Sequence, residues 1–290
     1  MVLPHPLYQR DTRTPVPLAP AGSCDCHFHV YGDPARYPQS EERTFEVPIA
    51  TWDELQKMHQ TLGVSRGVCV QATAYRIDHS LLLDVLRGQN NYRGVALIDD
   101  TVNEQELARL HEAGVRGARF NFAGFLKMAP SRPSFERSIA RISELGWFAK
   151  VHGTGDELAA LEAWLRPLRL PVVIDHLGGP DWRRGLDSPG YRLIFDLLKR
   201  ENWWIQISNG DRRSAGEHPW EDMVAIVRAL VDAASDRAIW ATDWPHVSYQ
   251  KSKVPNDADL LEYFYRCVPD EASRQRVLVA NPERLLGFRA

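Results

Sequence analysis

The feature that most constrains the fold of this chain is a regular alternation of strand-like and helix-like segments. Short runs rich in Val, Ile, Ala and Cys recur from residue 24 onward, and an amphipathic stretch follows each of them. The runs lack strict polar alternation, which is typical of parallel strands buried on both faces. The predicted strands cover residues 24–30, 67–72, 92–98, 115–122, 147–152, 171–176, 203–208 and 238–242.

A predicted helix follows each of these strands. The helices cover residues 52–62, 80–87, 103–113, 135–145, 156–165, 191–199, 220–233 and 259–267, and a further helical stretch covers 272–286. Alternation at this period indicates crossover units and a parallel sheet. Eight such units close into a (β/α)₈ barrel, and a chain of 290 residues suits one. The alternative is a doubly wound open sheet, but no glycine-rich phosphate-binding turn follows an early strand.

The sequence therefore predicts an α/β protein with a single (β/α)₈ TIM barrel over residues 23–290. Residues 1–22 are rich in proline and poor in large apolar side chains, so we expect an irregular arm on the surface. The loop over residues 31–48 is long enough to cover a functional site. Thr51 and Glu54 predict a capping box at the start of the first helix, and Gly63 predicts its end.

Composition excludes several classes of protein. The net charge is −3 with both signs interspersed, so no basic surface for nucleic acid is expected. No apolar run approaches the roughly 20 residues needed to cross a bilayer, and the N-terminus has no apolar signal segment. The four cysteines form neither a disulfide framework nor a zinc-type pair. We therefore expect a cytoplasmic monomer or homodimer that binds neither nucleic acid nor membrane.

The end of the first predicted strand carries a His-x-His pair. Side chains two apart on a strand share a face, so Asp25, His27 and His29 are predicted to project together. Cys24 and Cys26 would then face the helices as small buried hydrophobes. Two imidazoles on one strand end can bind a metal or hold a carbonyl oxygen, although such histidines are also found without a functional role.

Polar side chains follow most of the other predicted strands. Because the active site of a (β/α)₈ barrel lies at the C-terminal ends of its strands, these residues would meet at one mouth. Each has a structural explanation when taken alone, but the joint pattern predicts a functional site. The set comprises Gln71, Thr73, Tyr75, Arg119, Asn121, Lys150, His152, Asp175, His176, Ser208, Arg212, Thr242 and Asp243.

Several motifs together make the chain similar to the amidohydrolase superfamily, in its amidohydrolase-2 branch. They are the pair His27 and His29, His176 after Ile-Asp, Asp243 within Thr-Asp-Trp-Pro-His, and Asn-Pro at 281–282. The similarity spans residues 22–288. Within the branch, segments 114–122 and 172–181 most resemble the 2-pyrone-4,6-dicarboxylate lactonases and related sugar-lactone and muconolactone hydrolases. The resemblance implies a hydrolase that opens the ring of a small carboxylated lactone.

The resemblance also implies a role for individual residues. Asp243 matches the aspartate that takes a proton from the attacking water. The histidines that polarise the lactone carbonyl correspond to His27, His29 and His176. The residues implied to bind substrate are Arg119, Arg212, Thr73, Tyr75 and Asn121, with the two arginines holding carboxylates.

General chemistry supports the same reaction. Water attacks the lactone carbonyl more readily if a base takes its proton, and Asp243 is the carboxylate at the last strand end. Donors or a cation stabilise the oxyanion that forms, and arginine forks suit carboxylate substrates. Three alternatives stay open: an aldarolactone isomerase, a metal-dependent decarboxylase, and a non-enzymatic barrel that binds a small acid.

Two positions depart from the lactonase pattern. Phe125 stands near the place of a second basic residue, and His152 replaces a tyrosine. His152 suggests one Zn²⁺ bound by His27, His29, His152 and Asp243. A metal-free site is the equal alternative. A two-metal centre is excluded because neither predicted polar residue on strand 4 can bridge two ions. Lys150 is expected to pair with an acid inside the barrel.

Overall fold

The structure of the protein is a computed structural model that describes residues 8–288. One parallel sheet of 8 strands runs in chain order from β1 to β8. The single (β/α)₈ barrel predicted from the sequence is confirmed. Its strands are β1 (Cys24–Phe28), β2 (Arg66–Val70), β3 (Tyr92–Ala96), β4 (Val115–Asn121), β5 (Phe148–His152), β6 (Val172–Ile174), β7 (Trp203–Ile207) and β8 (Ala238–Trp240).

Helices follow the strands and surround the sheet. They are α1 (Trp52–Leu62), α2 (Ser80–Leu86), α3 (Glu104–Glu112), α4 (Arg132–Glu144), α5 (Gly155–Ala160), α6 (Glu162–Leu165), α7 (Pro189–Leu198), α8 (Gly210–Arg213), α9 (Val224–Ala233), α10 (Asp257–Cys267), α11 (Glu271–Gln275) and α12 (Asn281–Leu286). A π-helical turn, Arg276–Ala280, joins the last two. Among the described residues, none of these helices has the length and apolar character to span a membrane.

The predicted caps of the first helix are present. The Thr51 side chain accepts from the Glu54 amide, and the Glu54 carboxylate accepts from the Thr51 amide, which completes the capping box. Gly63 ends the helix with φ of 81°, a left-handed conformation that glycine adopts without steric cost.

Residues just beyond the strand ends close the barrel between β1 and β8. The Asp243 amide donates to the His27 carbonyl at 2.9 Å, and the His29 amide donates to the Trp244 carbonyl at 2.8 Å. These bonds join the end of β1 to the segment that follows β8. They also bring the His-x-His segment and Asp243 together through the backbone alone.

Apolar side chains form two layers, one inside the barrel and one between strands and helices. The inner layer comprises Cys24, Cys26, Val68, Val70, Val95, Phe148, Val173, Trp204, Ile239 and Ala241, together with Leu286 and Phe288 from the C-terminal segment. Phe288 contacts Arg66 and Arg93 near the first residues of β2 and β3. The C-terminal segment therefore closes the end of the barrel opposite the site.

The predicted orientation of the first strand is wrong in two respects. Cys24 and Cys26 face the inside of the barrel and not the helices. Asp25 bonds to His59 of α1 and to Thr242, so it does not share a face with the two histidines. The cause is a register irregularity between Asp25 and Phe28, which shifts the alternation of side chains along the strand.

Residues 8–22 form no helix or strand. Tyr8 packs edge-on against Trp244 with ring centroids 5.1 Å apart, and Arg13 pairs with Asp259 and Glu262 of α10. The first 7 residues of the predicted arm lie outside the described residues. The division of the chain at residue 22 stays a prediction.

Candidate active site

A cavity of about 350 Å³ opens at the C-terminal ends of the strands. Its walls come from several strand ends, from the loop after β1 and from the loop after β8. The polar and aromatic residues that line it include His29, Tyr31, Thr73, Arg119, Phe125, His152, His176, Asn209, Arg212, Arg213, Asp243, Tyr249 and Lys251.

The Asp243 carboxylate lies at the floor of this cavity, and its two oxygens have different partners. Oδ2 accepts from Asn209 Nδ2 at 3.0 Å and lies 3.4 Å from the Arg212 guanidinium. Oδ1 lies 3.7 Å from Nε2 of His27, 3.7 Å from Nε2 of His29 and 3.9 Å from Nε2 of His176. Although burial opposes ionisation, the neighbouring His176 and Arg212 lower the pKa of Asp243 to about 2. The carboxylate is therefore ionised at neutral pH.

Hydrogen bonds to the ring nitrogens fix how the three histidines face Asp243. His29 Nδ1 donates to the Val70 carbonyl at 2.8 Å, and His27 Nδ1 donates to Asp175 Oδ1 at 3.1 Å. These acceptors place the ring proton on Nδ1, so Nε2 keeps its lone pair in the neutral ring. His176 has the same arrangement, because its Nε2 accepts from Arg119 at 3.2 Å.

Burial keeps these rings neutral. It lowers the pKa of His29 to about 4, and it lowers the pKa of His27 and of His176 well below the ordinary value. The Nε2 atoms of His27 and His29 are only 3.2 Å apart. Two lone pairs at that distance repel each other unless a cation lies between them.

The inside of the barrel below the cavity is polar. Asp175 Oδ2 accepts from Nε of Arg119 at 2.8 Å and lies 2.8 Å from Nη2, and Lys150 Nζ lies 3.5 Å from Oδ1. Lys150 also donates to Gln206 Oε1. The prediction that Lys150 pairs with an acid inside the barrel is confirmed. Although burial acts in the opposite direction, the surrounding His176, Lys150 and Arg119 hold the pKa of Asp175 well below its usual range.

Arg212 lies on α8 and is held at the rim of the cavity. Its Nη1 donates to the Val247 carbonyl at 3.0 Å and its Nε donates to Asn209 Oδ1 at 3.2 Å. The guanidinium lies 5.0 Å from the centre of the Tyr249 ring. These contacts point a positive charge into the cavity beside Asp243, where it can meet an anionic substituent of a substrate.

Some residues predicted for the site do not line this cavity. The Tyr75 hydroxyl accepts from the Gly32 amide at 3.1 Å, behind the loop that follows β1. The amide oxygen of Asn121 accepts from His152 Nδ1 at 3.0 Å, and Asn121 lines a neighbouring cavity. His27 lies beneath His29 and reaches the site through Nε2.

Two residues that the structure brings to the site were not singled out from the sequence. Asn209 bonds to Asp243, and Arg213 lines the cavity. Asp175, which the sequence placed among the strand-end residues, lies beneath the cavity and accepts from His27. The position of Asn209 depends on how the chain turns after β7, and no sequence pattern predicts that turn.

Three residues at the site have a left-handed backbone although none is glycine. The φ angles are 62° at Asp243, 47° at His176 and 62° at Asn209. Such conformations cost about 1–3 kcal/mol each in non-glycine residues and concentrate at functional sites. Here they turn the side chains after β6, β7 and β8 toward the mouth of the barrel.

Three ligand atoms at the floor of the cavity suit a divalent ion. Nε2 of His27, Nε2 of His29 and Oδ1 of Asp243 lie 3.2 to 3.7 Å from one another. Ligands bound at about 2.0–2.1 Å in a tetrahedron lie roughly 3.3 Å apart, so the spacing fits. His152 lines the same cavity but belongs to no such group among the described residues, so its place in the four-ligand set stays a prediction.

Comparison with known proteins gives one consistent result. Residues 24–288 match the family model described as Amidohydrolase. The chain is 35% identical to a 4-sulfomuconolactone hydrolase of Hydrogenophaga intermedia, over 93% of this chain and 90% of the relative. It is 33% identical to a 2-pyrone-4,6-dicarboxylate hydrolase of Comamonas testosteroni, over 92% of this chain and 90% of the relative.

A solved structure agrees with these relatives. The crystal structure of a putative 2-pyrone-4,6-dicarboxylic acid hydrolase from Pseudomonas putida superposes with a TM-score of 0.80 at 27% identity, covering 93% of this chain and 99% of that one. The family model, the relatives and the solved structure therefore agree. The chain belongs to the amidohydrolase family.

Proposed function

We propose that this protein is a hydrolase that opens the ring of a small anionic lactone by attack of water on the ring carbonyl. One observation carries the proposal: an ionised carboxylate, Asp243, faces three neutral imidazoles at the floor of a cavity rimmed by arginine. The relatives named as sulfomuconolactone and pyrone-dicarboxylate hydrolases support the class of substrate.

The residues of the site have different roles in this reaction. As the water oxygen bonds to the carbonyl carbon, Asp243 accepts the proton that the water loses. The ring C–O bond then breaks, and Asp243 returns this proton to the leaving ring oxygen. Asn209 and Arg212 hold Oδ2, so that Oδ1 stays turned toward the reacting centre. Asp243 is only 8% exposed, which limits the contact of this proton transfer with bulk water.

The positive side of the cavity selects the substrate. Arg212 and Arg213 line it together with Lys251, and these groups suit a carboxylate or sulfonate on the lactone. Arg119 also lines the cavity but is already paired with Asp175. Phe125 is 55% exposed at the rim where a further basic residue was expected, so that corner of the cavity contacts an apolar part of the ring.

We propose that one divalent metal ion, such as Zn²⁺, belongs to this site. His27, His29 and Asp243 would hold it, and it would supply the positive charge that the developing oxyanion requires. Neutral rings whose protons sit on Nδ1 cannot themselves donate to a carbonyl through Nε2. Because an ionised carboxylate offers roughly four lone-pair sites, Asp243 can hold the ion and accept the proton.

A panel of pyrone, muconolactone and aldarolactone substrates in ¹⁸O-labelled water tests the reaction. We expect ring opening, detected by absorbance or by a pH indicator, with one ¹⁸O label in the new carboxylate. An isomerase that uses an internal hydroxyl would form product without the label, and a decarboxylase would release CO₂. Either result, or no turnover on any lactone, would contradict the proposed reaction.

Elemental analysis of protein purified without chelator tests the metal. We expect about one equivalent of a divalent metal per chain and loss of turnover on chelation, restored by adding Zn²⁺. Metal-free protein with full activity would contradict this part of the proposal. From the sequence we also propose a cytoplasmic monomer or homodimer that binds neither nucleic acid nor membrane.

A further inference from the structure

Asp175 is buried beneath the cavity and does not line it, yet it contacts titratable side chains from three other strands. Its side chain has no exposed surface. Oδ1 accepts from His27 Nδ1 at 3.1 Å, and Oδ2 accepts from Arg119 Nε at 2.8 Å. One carboxylate therefore joins a ring from β1 to a guanidinium from β4.

We infer that Asp175 is a positioning residue that fixes the tautomer of His27 and the orientation of Arg119 together. The inference rests on the proposed function for its kinetic meaning, but its geometry does not depend on the substrate. A carboxylate accepts hydrogen bonds and donates none, so both of its partners must present a proton. His27 must then carry its proton on Nδ1, and Nε2 stays free to face His29 and Asp243.

The buried positive charges around Asp175 support the same inference. Arg119 and Lys150 are both buried inside the barrel, and Asp175 is the carboxylate within 4 Å of each among the described residues. A buried cation that loses its partner is strongly unfavourable. Arg119 therefore holds Oδ2 of Asp175 firmly, and His27 shares Oδ1 with the more distant Lys150.

The substitution Asp175→Asn separates the two duties, because a carboxamide has one acceptor oxygen and one donor group. The Arg119 fork should take the oxygen, since two of its nitrogens lie 2.8 Å from Oδ2 whereas the Lys150 ammonium lies 3.5 Å from Oδ1. The amide NH₂ would then face His27 Nδ1, which must accept. The ring proton moves to Nε2, where it points at His29 and blocks metal binding.

Gln206 offers His27 a weaker alternative. Its Oε1 lies 3.3 Å from His27 Nδ1, but the same oxygen accepts from Lys150. We therefore expect a shift of most, not all, of the D175N population to the Nε2–H tautomer. In the double variant D175N/R119M the carboxamide oxygen is released, and the proton should return to Nδ1.

Nitrogen-15 NMR of the full chain, labelled at histidine and stripped of metal, measures the tautomer directly. The His27 signal is assigned by comparison with His27→Gln. Wild type should show a protonated Nδ1, and an Nε2–H ring in the wild type would overturn the inference whatever the variants do. D175N should show mainly protonated Nε2, and an unchanged ring in folded D175N would overturn it as well.

Zn²⁺ titration against a chelating dye gives a second readout. Loss of an outer partner of a metal-binding histidine typically costs about 10- to 100-fold in metal affinity, and we expect that loss in D175N. Asp257→Asn is the matched control, because Asp257 is also buried and bonds to His246 Nε2 at 3.0 Å. D257N should leave the His27 tautomer and the Zn²⁺ affinity unchanged.

The two proposals fail in different ways. Protein that opens no lactone contradicts the proposed function and leaves the tautomer result standing. D175N that opens lactones at the wild-type rate with an unchanged His27 ring contradicts the role of Asp175 and leaves the proposed function standing. If both hold, kcat/KM of D175N falls about 10- to 100-fold.

Discussion

At the scale of single residues, Asp243 carries the chemistry because its two oxygens are not equivalent. Asn209 and Arg212 occupy Oδ2, and Oδ1 faces the three imidazoles. The neighbouring positive charge that keeps this carboxylate ionised also weakens it as a base. A substrate that neutralises Arg212 would strengthen Asp243 as the reaction begins, which couples binding of the anionic group to proton transfer.

Replacing Asp243 by Asn removes the base and keeps the shape of the side chain. We expect kcat to fall about 10²- to 10⁴-fold, the range for loss of a general base. KM should change little, because an interaction made only in the transition state lowers kcat and kcat/KM together. Steady-state kinetics on the best lactone of the panel provide the measurement.

Asp181→Asn is the control for this variant, since Asp181 is exposed and pairs with Arg183 at the surface. It should retain wild-type turnover. If D243N kept more than about a tenth of the wild-type kcat, Asp243 would not be the base, because loss of a base costs at least about 10².

At the scale of elements, helix α1 depends on its N-terminal cap. Thr51→Ala removes the side-chain oxygen that accepts from the Glu54 amide. We expect a loss of about 1 kcal/mol in the free energy of unfolding, measured by urea denaturation. Thr61→Ala on the same helix is the control, because Thr61 is partly exposed and bonds only to the Lys57 carbonyl. Equal losses in the two variants would contradict a specific effect of the cap.

A buried ion pair joins the loop after β8 to α10. Burial opposes the charged form of His246, yet the facing Asp257 carboxylate raises its pKa above the ordinary value of 6.5. The folded protein therefore binds this proton more tightly than the unfolded chain does. The pair stabilises the fold fully below about pH 6.5, and its contribution falls as the pH rises through the raised pKa.

His246→Gln tests this pair through the pH dependence of stability. The variant should unfold more easily than wild type by roughly 1–3 kcal/mol in mildly acidic buffer, with a smaller difference in alkaline buffer. Thermal or urea unfolding across this range gives the measurement. The exposed His218→Gln is the control and should show no such trend. A difference that grows with pH would show that the sign is wrong.

At the scale of elements, the sequence predicted the features that depend on local signals. Every predicted strand and its helix is present, because hydrophobic period and glycine or proline breaks are local signals. The register irregularity in β1 is not local, since it depends on how the strand pairs with β2. For that reason the sequence paired His27 with His29 correctly but placed Asp25, Cys24 and Cys26 on the wrong faces.

At the scale of the whole molecule, the two ends of the barrel have different roles. The cavity occupies one end, and the C-terminal segment with Phe288 closes the other. Topology explains why the sequence predicted most of the cavity: parallel strands in chain order bring their ends to one rim. It does not say which rim residues turn inward, and so Tyr75 and Asn121 were expected in the cavity that they do not line.

Phe288→Ala tests this division. Loss of a buried aromatic side chain costs about 3 kcal/mol or more, so the free energy of unfolding should fall by about that amount. Turnover at a temperature where the variant is folded should stay at the wild-type level, because the ring lies at the far end. Leu186→Ala is the control, as Leu186 is 40% exposed and should change stability by less than about 0.5 kcal/mol. Lost turnover in folded F288A would contradict the division.

The left-handed backbone at Asp243 sets the need for a carboxylate there against the thermal stability of the fold. Asp243→Gly and Asp243→Ala both abolish the carboxylate, but only glycine relaxes at a φ of 62°. The glycine variant should therefore melt at a higher temperature than the alanine variant, with a difference of about 1 kcal/mol or more in stability. Selection for thermal tolerance alone among variants that lack the carboxylate would therefore favour glycine at this rim, and the catalytic base would be lost with no penalty in that selection.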